Sequence, residues 1–198
     1  MTEREKRAMR CCFTGHRPEK LVGREEAVKA ALDQSIELAI SSGKRTFISG
    51  MARGVDLWAA ELVLKHRRKN AAIRLICALP HPHFEVHWSA YWQQQYHSIL
   101  HRADFVKEIC PFASMASYQA RNAWMVDHSS LVIAVFNGQE GGTKNTIEYA
   151  NRRRVPVSIL DIAIHRQAAG LTLYGNGWFS SPPQKFPRSP CNLPARRV

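Results

Sequence analysis

Short apolar runs alternate with longer amphipathic stretches through most of this 198-residue chain. Residues 73–79 and 131–136 are almost wholly apolar, which is typical of strands buried on both faces of a parallel sheet. Between residues 24 and 42 the apolar positions recur at helical spacing, and Gly43 follows them as a helix terminator. The alternation therefore predicts a chain in which parallel strands are joined by helices.

The same pattern gives the expected order of elements. Strands are predicted at residues 10–13, 46–48, 73–79, 104–109, 131–136 and 155–160. Helices are predicted at residues 24–42, 55–67, 84–102, 118–128 and 143–153. This succession is typical of the α/β class, in a Rossmann-like three-layer fold with a mostly parallel sheet and helices on both faces.

The domain boundaries follow from where this rhythm begins and ends. Residues 1–9 are predicted to be an N-terminal extension, residues 10–166 one nucleotide-binding domain, and residues 167–198 a C-terminal tail rich in proline and glycine. The five cysteines are scattered, without the close pairing of a zinc site, and no apolar stretch is long enough for a membrane span. We therefore expect free thiols, a cytoplasmic location and no membrane partner.

The formal charge of +12 favours contact with polyanions. Two basic clusters, residues 65–69 and 152–154, fall where helices are predicted to end. Cations at those positions complement the negative end of the helix dipole, so solvated helix ends are the favoured interpretation and nucleic-acid binding is the alternative.

The turn after the second predicted strand is the most distinctive segment. It reads Ser49-Gly50-Met51-Ala52-Arg53-Gly54-Val55-Asp56 and leads into a helix. Its glycines allow close approach of an oxygen-rich ligand, and the amides of a first helical turn attract an anion. The predicted ligand contacts are Ser49, Gly50, Ala52, Arg53, Gly54 and Asp56. Arg53 can bind a phosphate, and Asp56 can cap the helix or accept a sugar hydroxyl; a plain strand-to-helix joint is the alternative.

A second glycine-rich turn follows the fifth predicted strand. Gly141 and Gly142 precede a helix that begins near Thr143, so its first amides again suit an anion. The predicted ligand contacts in this turn are Gly141, Gly142, Thr143 and Asn145. Glu148 lies about a turn and a half into that helix, where it faces either the ligand or solvent. A hairpin-like loop with Thr143 as the helix cap is the alternative.

A third turn follows the first predicted strand. Thr14 and Gly15 suit close approach to a ligand, and Arg17 can reach a phosphate. The predicted phosphate-binding residues of this turn are Thr14, Gly15, His16 and Arg17. A plain turn that ends at Pro18 accounts for them equally well. Because the carboxyl ends of parallel strands share one edge of a sheet, all three turns are expected at that edge.

These motifs, in this order, resemble those of the SLOG superfamily. The turn at residues 49–56 closely resembles the Gly-x-Ala-Arg-Gly-x-Asp signature of DprA-like proteins. The opening Phe13-Thr14-Gly15-His16-Arg17-Pro18-Glu19-Lys20-Leu21 resembles that of the YpsA family. The resemblance covers roughly residues 10–160. It implies a Rossmann-like fold and a nucleotide-type ligand.

A weaker resemblance connects the chain with the Lonely Guy (LOG) phosphoribohydrolases. Arg121 and Glu148 stand in places similar to the Arg and Glu with which those enzymes cleave the N-glycosidic bond of a nucleoside monophosphate. The resemblance therefore implies catalytic roles for Arg121 and Glu148. The chain departs from the family pattern because the turn before Gly141 is longer and Lys144-Asn145 replaces Gly-Thr.

Three functions follow as hypotheses. The favoured one is the binding or sensing of a nucleotide or nucleotide-derived ligand of the ADP-ribose or NAD type. The first alternative is LOG-like hydrolysis of an N-glycosidic bond. The second is DprA-like binding of single-stranded nucleic acid, which the net charge supports but the scatter of basic residues along the chain disfavours.

Two further patterns concern metals and self-association. His81, His83 and His87 have a spacing that zinc ligands can have, but loop histidines are the favoured interpretation and no metal is expected. The aromatic residues of the predicted helix 84–102 recur on one face, which suits the core or the interface of a homodimer.

Overall fold

The computed structural model describes residues 1–161, and these contain a six-stranded, all-parallel sheet. Its strands are β1 Arg10–Gly15, β2 Thr46–Ser49, β3 Arg74–Leu79, β4 Phe105–Glu108, β5 Leu131–Phe136 and β6 Val157–Asp161. The helices are α1 Glu3–Ala8, α2 Glu25–Ser41, α3 Val55–Lys69, α4 Ala90–Arg102, α5 Met115–Asp127 and α6 Gly142–Arg152, with a 3₁₀ helix at Pro18–Lys20. The predicted fold class is confirmed, and the sheet is wholly parallel.

The core lies on both faces of the sheet because successive strand residues point to opposite sides. On one face Cys11 and Phe13 of β1 pack with residues of α2, α3 and α4. On the other face Cys12 packs with Met125 of α5 and Ala150 of α6. The strands are therefore buried between two helical layers, which explains why β3 and β5 are apolar along almost their whole length.

The strand order is β4-β3-β2-β1-β5-β6. From β1 the chain builds outward through β2 and β3 to β4, and then returns to place β5 on the other side of β1. The direction of winding thus reverses between β1 and β5. In open α/β sheets a crevice forms at the carboxyl ends of the two strands that flank such a reversal, and ligands bind there.

The fourth helix is shorter than the sequence pattern predicts. It begins at Ala90 rather than at residue 84, and residues 82–87 form turns. His83 adopts a left-handed backbone with φ of 57°, which a right-handed helix does not contain, so the helix cannot include that residue. Of the three histidines, His83 and His87 are exposed as expected, whereas His81 is buried against Phe84 and Tyr118.

Several remaining expectations concern the ends of the chain and its thiols. The predicted extension contains α1, and the predicted tail at residues 167–198 lies outside the described residues. Cys11, Cys12 and Cys77 are buried free thiols, but Cys110 is disulfide-bonded, so the expectation of free thiols is wrong at that position. Among residues 1–161, no helix is long and apolar enough to cross a bilayer.

Candidate functional site

The three predicted turns lie side by side at the carboxyl edge of the sheet, because β1 pairs with β2 on one side and with β5 on the other. The turn after β1 is the central one. It packs directly on the turn after β2, where a Cβ atom on Gly54 would lie 2.9 Å from the carbonyl oxygen of His16. The same glycine has a φ of 87°, so both its conformation and its surroundings require the absence of a side chain.

An ion pair extends this contact to the surface. Arg53 Nη2 lies 2.9 Å from Glu19 Oε1, and Glu19 belongs to the 3₁₀ helix that follows the first turn. The Arg53 side chain is 24% exposed, while that of Glu19 is 58% exposed. Arg53 is therefore held at the rim of the crevice by an exposed carboxylate that an incoming anion can replace.

The turn after β1 also contacts the turn after β5. The backbone N–H of Asn137 donates to Nε2 of His16 at 3.2 Å, and the imidazole stacks on the ring of Phe136 with centroids 5.8 Å apart. Farther out, Lys20 Nζ donates to the carbonyl oxygen of Glu140 at 3.5 Å. The central turn consequently fixes the positions of both glycine-rich turns relative to each other.

Burial favours the neutral form of His16 at this junction. The residue is buried, and desolvation lowers the pKa of its imidazole, with a further lowering from the nearby charge of Lys20. A side-chain interaction with Asn137 acts in the opposite direction. Because Nε2 accepts the Asn137 amide, the hydrogen of the neutral ring is assigned to Nδ1.

A buried charged pair lies beneath the turn after β2. Arg121, from the middle of α5, donates through Nη1 to the carbonyl oxygen of Gly50 and lies 4.0 Å from Oδ2 of Asp56. A Cβ atom on Gly50 would lie 2.7 Å from that same oxygen and against the guanidinium of Arg121. Gly50 is therefore required because the two charged side chains fill the space beside its backbone.

Hydrogen bonds inside the turn complete this arrangement. Ser49 donates through Oγ to the carbonyl oxygen of Asp56 at 2.8 Å and accepts the N–H of Met51 at 3.1 Å. Asp56 Oδ2 accepts the N–H of Ala52 at 3.3 Å. Met51 itself has a φ of 59°, so this network holds a left-handed backbone that a non-glycine residue rarely adopts.

Burial dominates the electrostatics of this pair. Desolvation raises the pKa of Asp56 to about 6, although the Arg121 charge and the Ala52 amide both lower it. Desolvation likewise lowers the pKa of Arg121, and the nearby positive charge of Arg17 lowers it further. Arg17, in the turn after β1, is exposed.

The turn after β5 leads into α6, which, like α3, has no side-chain cap at its N-terminus. Gly141 is the N-cap of α6, with a φ of 140°, and the helix begins at Gly142. Thr143 is buried and lies inside the helix, so it is not the cap that the alternative interpretation required. Asn145 makes the first bond of the helix, since its N–H donates to the carbonyl oxygen of Gly141 at 3.0 Å.

The remaining predicted contacts of the first turn are also at this edge. Thr14 is buried at the end of β1, next to Gly15. A Cβ atom on Gly15 would lie 2.5 Å from Cγ1 of Val55, the first residue of α3. The end of β1 is therefore pressed against the start of the helix that follows β2.

The two residues that the LOG resemblance singles out have different partners. Arg121 is buried with Gly50 and Asp56, whereas Glu148 is half exposed and lies 3.9 Å from Lys144 Nζ. Lys144 also pairs with Glu140. The catalytic roles of Arg121 and Glu148 remain predictions.

Sequence reasoning missed four residues that organise the edge, namely Glu19, Lys20, Phe136 and Asn137. Each of these residues contacts a turn other than the one to which it belongs. Only Asn137 could have been suspected from its position, because it directly follows an apolar strand. Within the described part of the chain, no group of three or more His, Cys, Asp or Glu side chains is placed to hold a metal ion.

The fold and its turns define a doubly wound α/β protein with a glycine-rich crevice where the winding reverses. The family model described as the YspA SLOG family (YpsA) matches residues 11–163, and the chain belongs to that family. The resemblance to SLOG proteins found in the sequence is thereby confirmed.

Two relatives illustrate the family. A UPF0398 protein of Halalkalibacterium halodurans is 30% identical over 130 residues, covering 64% of this chain and 69% of the relative. An uncharacterized SPbeta prophage-derived protein, YoqJ of Bacillus subtilis, is 33% identical over 128 residues, covering 59% of this chain and 75% of the relative.

Two solved structures share the fold. DNA processing protein A from Helicobacter pylori, whose structure was described for its single-stranded DNA binding mode, superposes with a TM-score of 0.56 and 17% identity over 79% of this chain. DprA from Streptococcus pneumoniae superposes with a TM-score of 0.58 and 16% identity over 77% of this chain. The superposed region spans 66% and 50% of those two chains, respectively.

Proposed function

We propose that the carboxyl edge of the sheet binds or senses a nucleotide or nucleotide-derived ligand of the ADP-ribose or NAD type, with its phosphates between the turns after β1, β2 and β5. The observation that carries the proposal is the contact of His16 with both neighbouring turns. This contact supports a single preorganised crevice at the point where the winding of the sheet reverses.

The charge at this edge suits phosphate. Both α3 and α6 start at glycine N-caps that no side chain caps, and their positive dipole ends face the crevice from opposite sides of β1. Arg17 is exposed beside them, and Arg53 is held at the rim by Glu19. Two guanidinium groups and two helix starts together favour a ligand with more than one phosphate.

The buried pair has a supporting role in this proposal. Asp56 is buried and already accepts the amide of Ala52, so its carboxylate holds the turn and is not available to a sugar hydroxyl. Arg121 likewise holds the carbonyl oxygen of Gly50. We assign both side chains to shaping the backbone that contacts the phosphates.

A thermal-shift screen tests the proposal. Purified protein is heated with nucleoside mono-, di- and triphosphates, NAD and ADP-ribose, because a ligand that binds only the folded state raises the melting temperature. At a concentration of about 100 times Kd the stabilisation is about 2.7 kcal/mol, which corresponds to roughly 5–10 °C for a chain of this length.

The matched variants are Arg53→Ala in the crevice and Arg68→Ala, an exposed arginine near the C-terminal end of α3. The proposal predicts a shift with a phosphate-bearing small ligand that Arg53→Ala removes and Arg68→Ala retains. A shift of equal size in wild type and Arg53→Ala, or no shift with any small ligand, contradicts it.

Single-stranded DNA is the second candidate for this same edge. The specific observation in its favour is the likeness of the fold to that of DNA processing protein A from Helicobacter pylori, a protein described as binding single-stranded DNA. Oligonucleotides are therefore included in the screen. A shift with oligonucleotides alone that disappears in Arg53→Ala supports this second candidate instead of the first.

A further inference from the structure

The topology gathers basic residues that are scattered along the chain. Each helix after α1 runs back from the carboxyl edge, so its C-terminus and the start of the next strand lie at the opposite, amino edge. We define the amino edge as residues 1–10, 42–46, 66–74, 101–105, 127–131 and 152–157.

The amino edge is strongly positive. It carries 14 of the 23 Lys and Arg residues within residues 1–161 and 4 of the 16 Asp and Glu residues, which gives a formal charge of +10. The other described segments carry 9 basic and 12 acidic residues, a formal charge of −3. The positive charge of the described chain is therefore concentrated on the side opposite the candidate ligand site.

Backbone hydrogen bonds show that these segments are immediate neighbours. The N–H of Arg74 donates to the carbonyl oxygen of Arg45 at 2.8 Å, and the N–H of Arg45 donates to that of Met9 at 2.9 Å. On the other side of β1, the N–H of Ser130 donates to the carbonyl oxygen of Arg10 at 3.0 Å. Like charges are thus held on adjacent strands, as on a surface that binds a polyanion.

Neither ion pairs nor helix dipoles account for the surplus. Asp104 pairs with Arg67 and Arg74, Asp127 pairs with Arg153, and Glu3 pairs with Arg10. These carboxylates are already included in the formal charge of +10. A dipole effect is confined to the last turn of a helix. It therefore does not explain Arg10 and Arg74 at the starts of β1 and β3, whereas Lys44 and Arg45 donate to the carbonyl oxygens of Ala8 and Ile40 in the last turns of α1 and α2.

Two cavities open on the same edge. One, of about 430 Å³, is lined by Arg4, Arg7 and Ser130 among others. The second, of about 250 Å³, includes Arg10, Arg74 and Phe105 in its lining. Phe105, at the start of the edge strand β4, is 54% exposed. The same lining contains Lys6 and Asp104. An exposed aromatic ring in a cavity that arginines also line is suited to stacking on an unpaired base.

We infer that the amino edge is a nucleic-acid-binding surface that contacts the phosphodiester backbone and stacks a base on Phe105. Eleven of its 14 basic residues are arginines, whose planar fork matches phosphate oxygens and stacks on bases. None of the 14 is buried. This surface is separate from the proposed nucleotide site and does not depend on it.

The test is fluorescence anisotropy of the whole protein with a labelled oligo(dT) strand of about 20 nucleotides and a duplex of about the same length, over a range of salt concentrations. The amino-edge variant carries Arg4→Gln, Arg68→Gln, Lys69→Gln and Arg154→Gln, all at exposed positions. The matched control removes four positive charges elsewhere, through Arg24→Gln, Lys29→Gln, Lys65→Gln and Lys107→Gln.

We expect the amino-edge variant to bind at least about tenfold more weakly near 0.1 M salt. The slope of the logarithm of its binding constant against the logarithm of the salt concentration should fall in magnitude by about 0.7 for each phosphate of the single strand that the variant no longer neutralises. The control variant retains most of the binding. Phe105→Ala weakens binding of the single strand by roughly fivefold or more and leaves binding of the duplex nearly unchanged. Melting curves check that each variant is folded. If the fourfold amino-edge variant does not fold, Phe105→Ala alone is used to test the surface.

Three results overturn the inference. The first is absence of salt-sensitive binding to either nucleic acid. The second is an equal weakening of nucleic-acid binding in the amino-edge and control variants. The same holds if binding is weakened by the double substitution Arg17→Ala/Arg53→Ala at the carboxyl edge and not by the amino-edge variant. The third is binding to phosphatidylserine vesicles without binding to nucleic acid, which would assign the surface to a membrane.

Discussion

The guanidinium of Arg121 lies 4.0 Å from the carboxylate of Asp56, and both side chains are buried beneath the backbone of Gly50. The pair joins α5 to the start of α3 across the carboxyl edge of the sheet. Since Arg121 also binds the carbonyl oxygen of Gly50, the glycine-rich turn is fixed by charges that solvent does not reach. The shape of the candidate site therefore depends on a buried polar cluster.

Replacing Asp56 by Asn should alter how stability depends on pH. Desolvation raises the folded-state pKa of Asp56 from 3.8 to about 6, so the native state binds the proton more tightly than the unfolded state does. The contribution of Asp56 to the free energy of unfolding is therefore highest below pH 3.8 and falls as the pH rises through about 6. Asn does not titrate, so relative to wild type the variant gains on the order of 2–3 kcal/mol between those limits.

Urea unfolding of both proteins at several pH values measures this difference. Comparison with wild type cancels the other carboxylates, including Glu3 and Asp33, whose pKa values are lowered in the folded state. A stability difference between wild type and Asp56→Asn that does not change with pH contradicts the assignment.

Gly50→Ala should destabilise the protein and displace Arg121. The added Cβ lies 2.7 Å from Oδ2 of Asp56 and against the guanidinium, and overpacking of this kind costs about 1–3 kcal/mol. The matched control is Gly142→Ala, because a Cβ there has no atom within 4 Å. We expect the control to change the free energy of unfolding by less than about 0.5 kcal/mol. Equal effects of the two substitutions in chemical denaturation would refute this account of Gly50.

Gly54→Ala should cost more than Gly138→Ala. Both glycines have left-handed φ values, 87° and 84°, so both substitutions carry backbone strain of about 1 kcal/mol. Only at Gly54 does the new Cβ also contact the chain, 2.9 Å from the carbonyl oxygen of His16. The difference in unfolding free energy between the two variants measures the contact between the first two turns, and a difference near zero would show that the two turns pack loosely.

His16→Phe should weaken the junction between the first turn and the turn after β5. Phe keeps an aromatic ring beside Phe136 but cannot accept the N–H of Asn137, and an amide left without its acceptor costs about 1–3 kcal/mol. The pKa of His16 is lowered by burial, so the unfolded state binds the proton more tightly. The contribution of the neutral ring is therefore lost as the pH falls below 6.5, and the variant lacks this dependence.

Nitrogen-15 NMR of the histidine ring checks the state of His16 directly. The structure predicts a neutral ring at pH 6.5, with the hydrogen on Nδ1, that becomes charged only at lower pH. A ring that titrates at or above the ordinary value would contradict the hydrogen bond with Asn137.

The sequence alone predicts those strands and helices whose bounds are marked by neighbouring residues. The strand at residues 131–136 is found at the predicted bounds because polar residues flank an apolar run on both sides. The predicted start of the helix at residues 84–102 was wrong, because the first residues of this aromatic segment form turns that pack around Phe84. Hydrophobic periodicity does not distinguish such buried turns from a helix.

Relationships between distant segments could not be predicted in this way. Arg121 and Gly50 are 71 positions apart, and nothing in either segment indicates that they meet. The basic clusters are dispersed along the chain, yet parallel topology brings them to one edge. The three ligand turns were placed together only because strand ends of a parallel sheet share an edge, which is a rule of topology rather than of local sequence.

Titration of nitrogen-15-labelled protein with ADP-ribose shows where this ligand binds, because amide chemical shifts respond to a ligand that binds nearby. We expect shifts concentrated at the turns after β1, β2 and β5, including the amides of Arg53, Gly54, Gly142 and Thr143. The amides of Arg45 and Arg74 at the amino edge should stay nearly unchanged. Saturable shifts confined to any other part of the protein, or no shifts at millimolar ADP-ribose, would contradict this expectation.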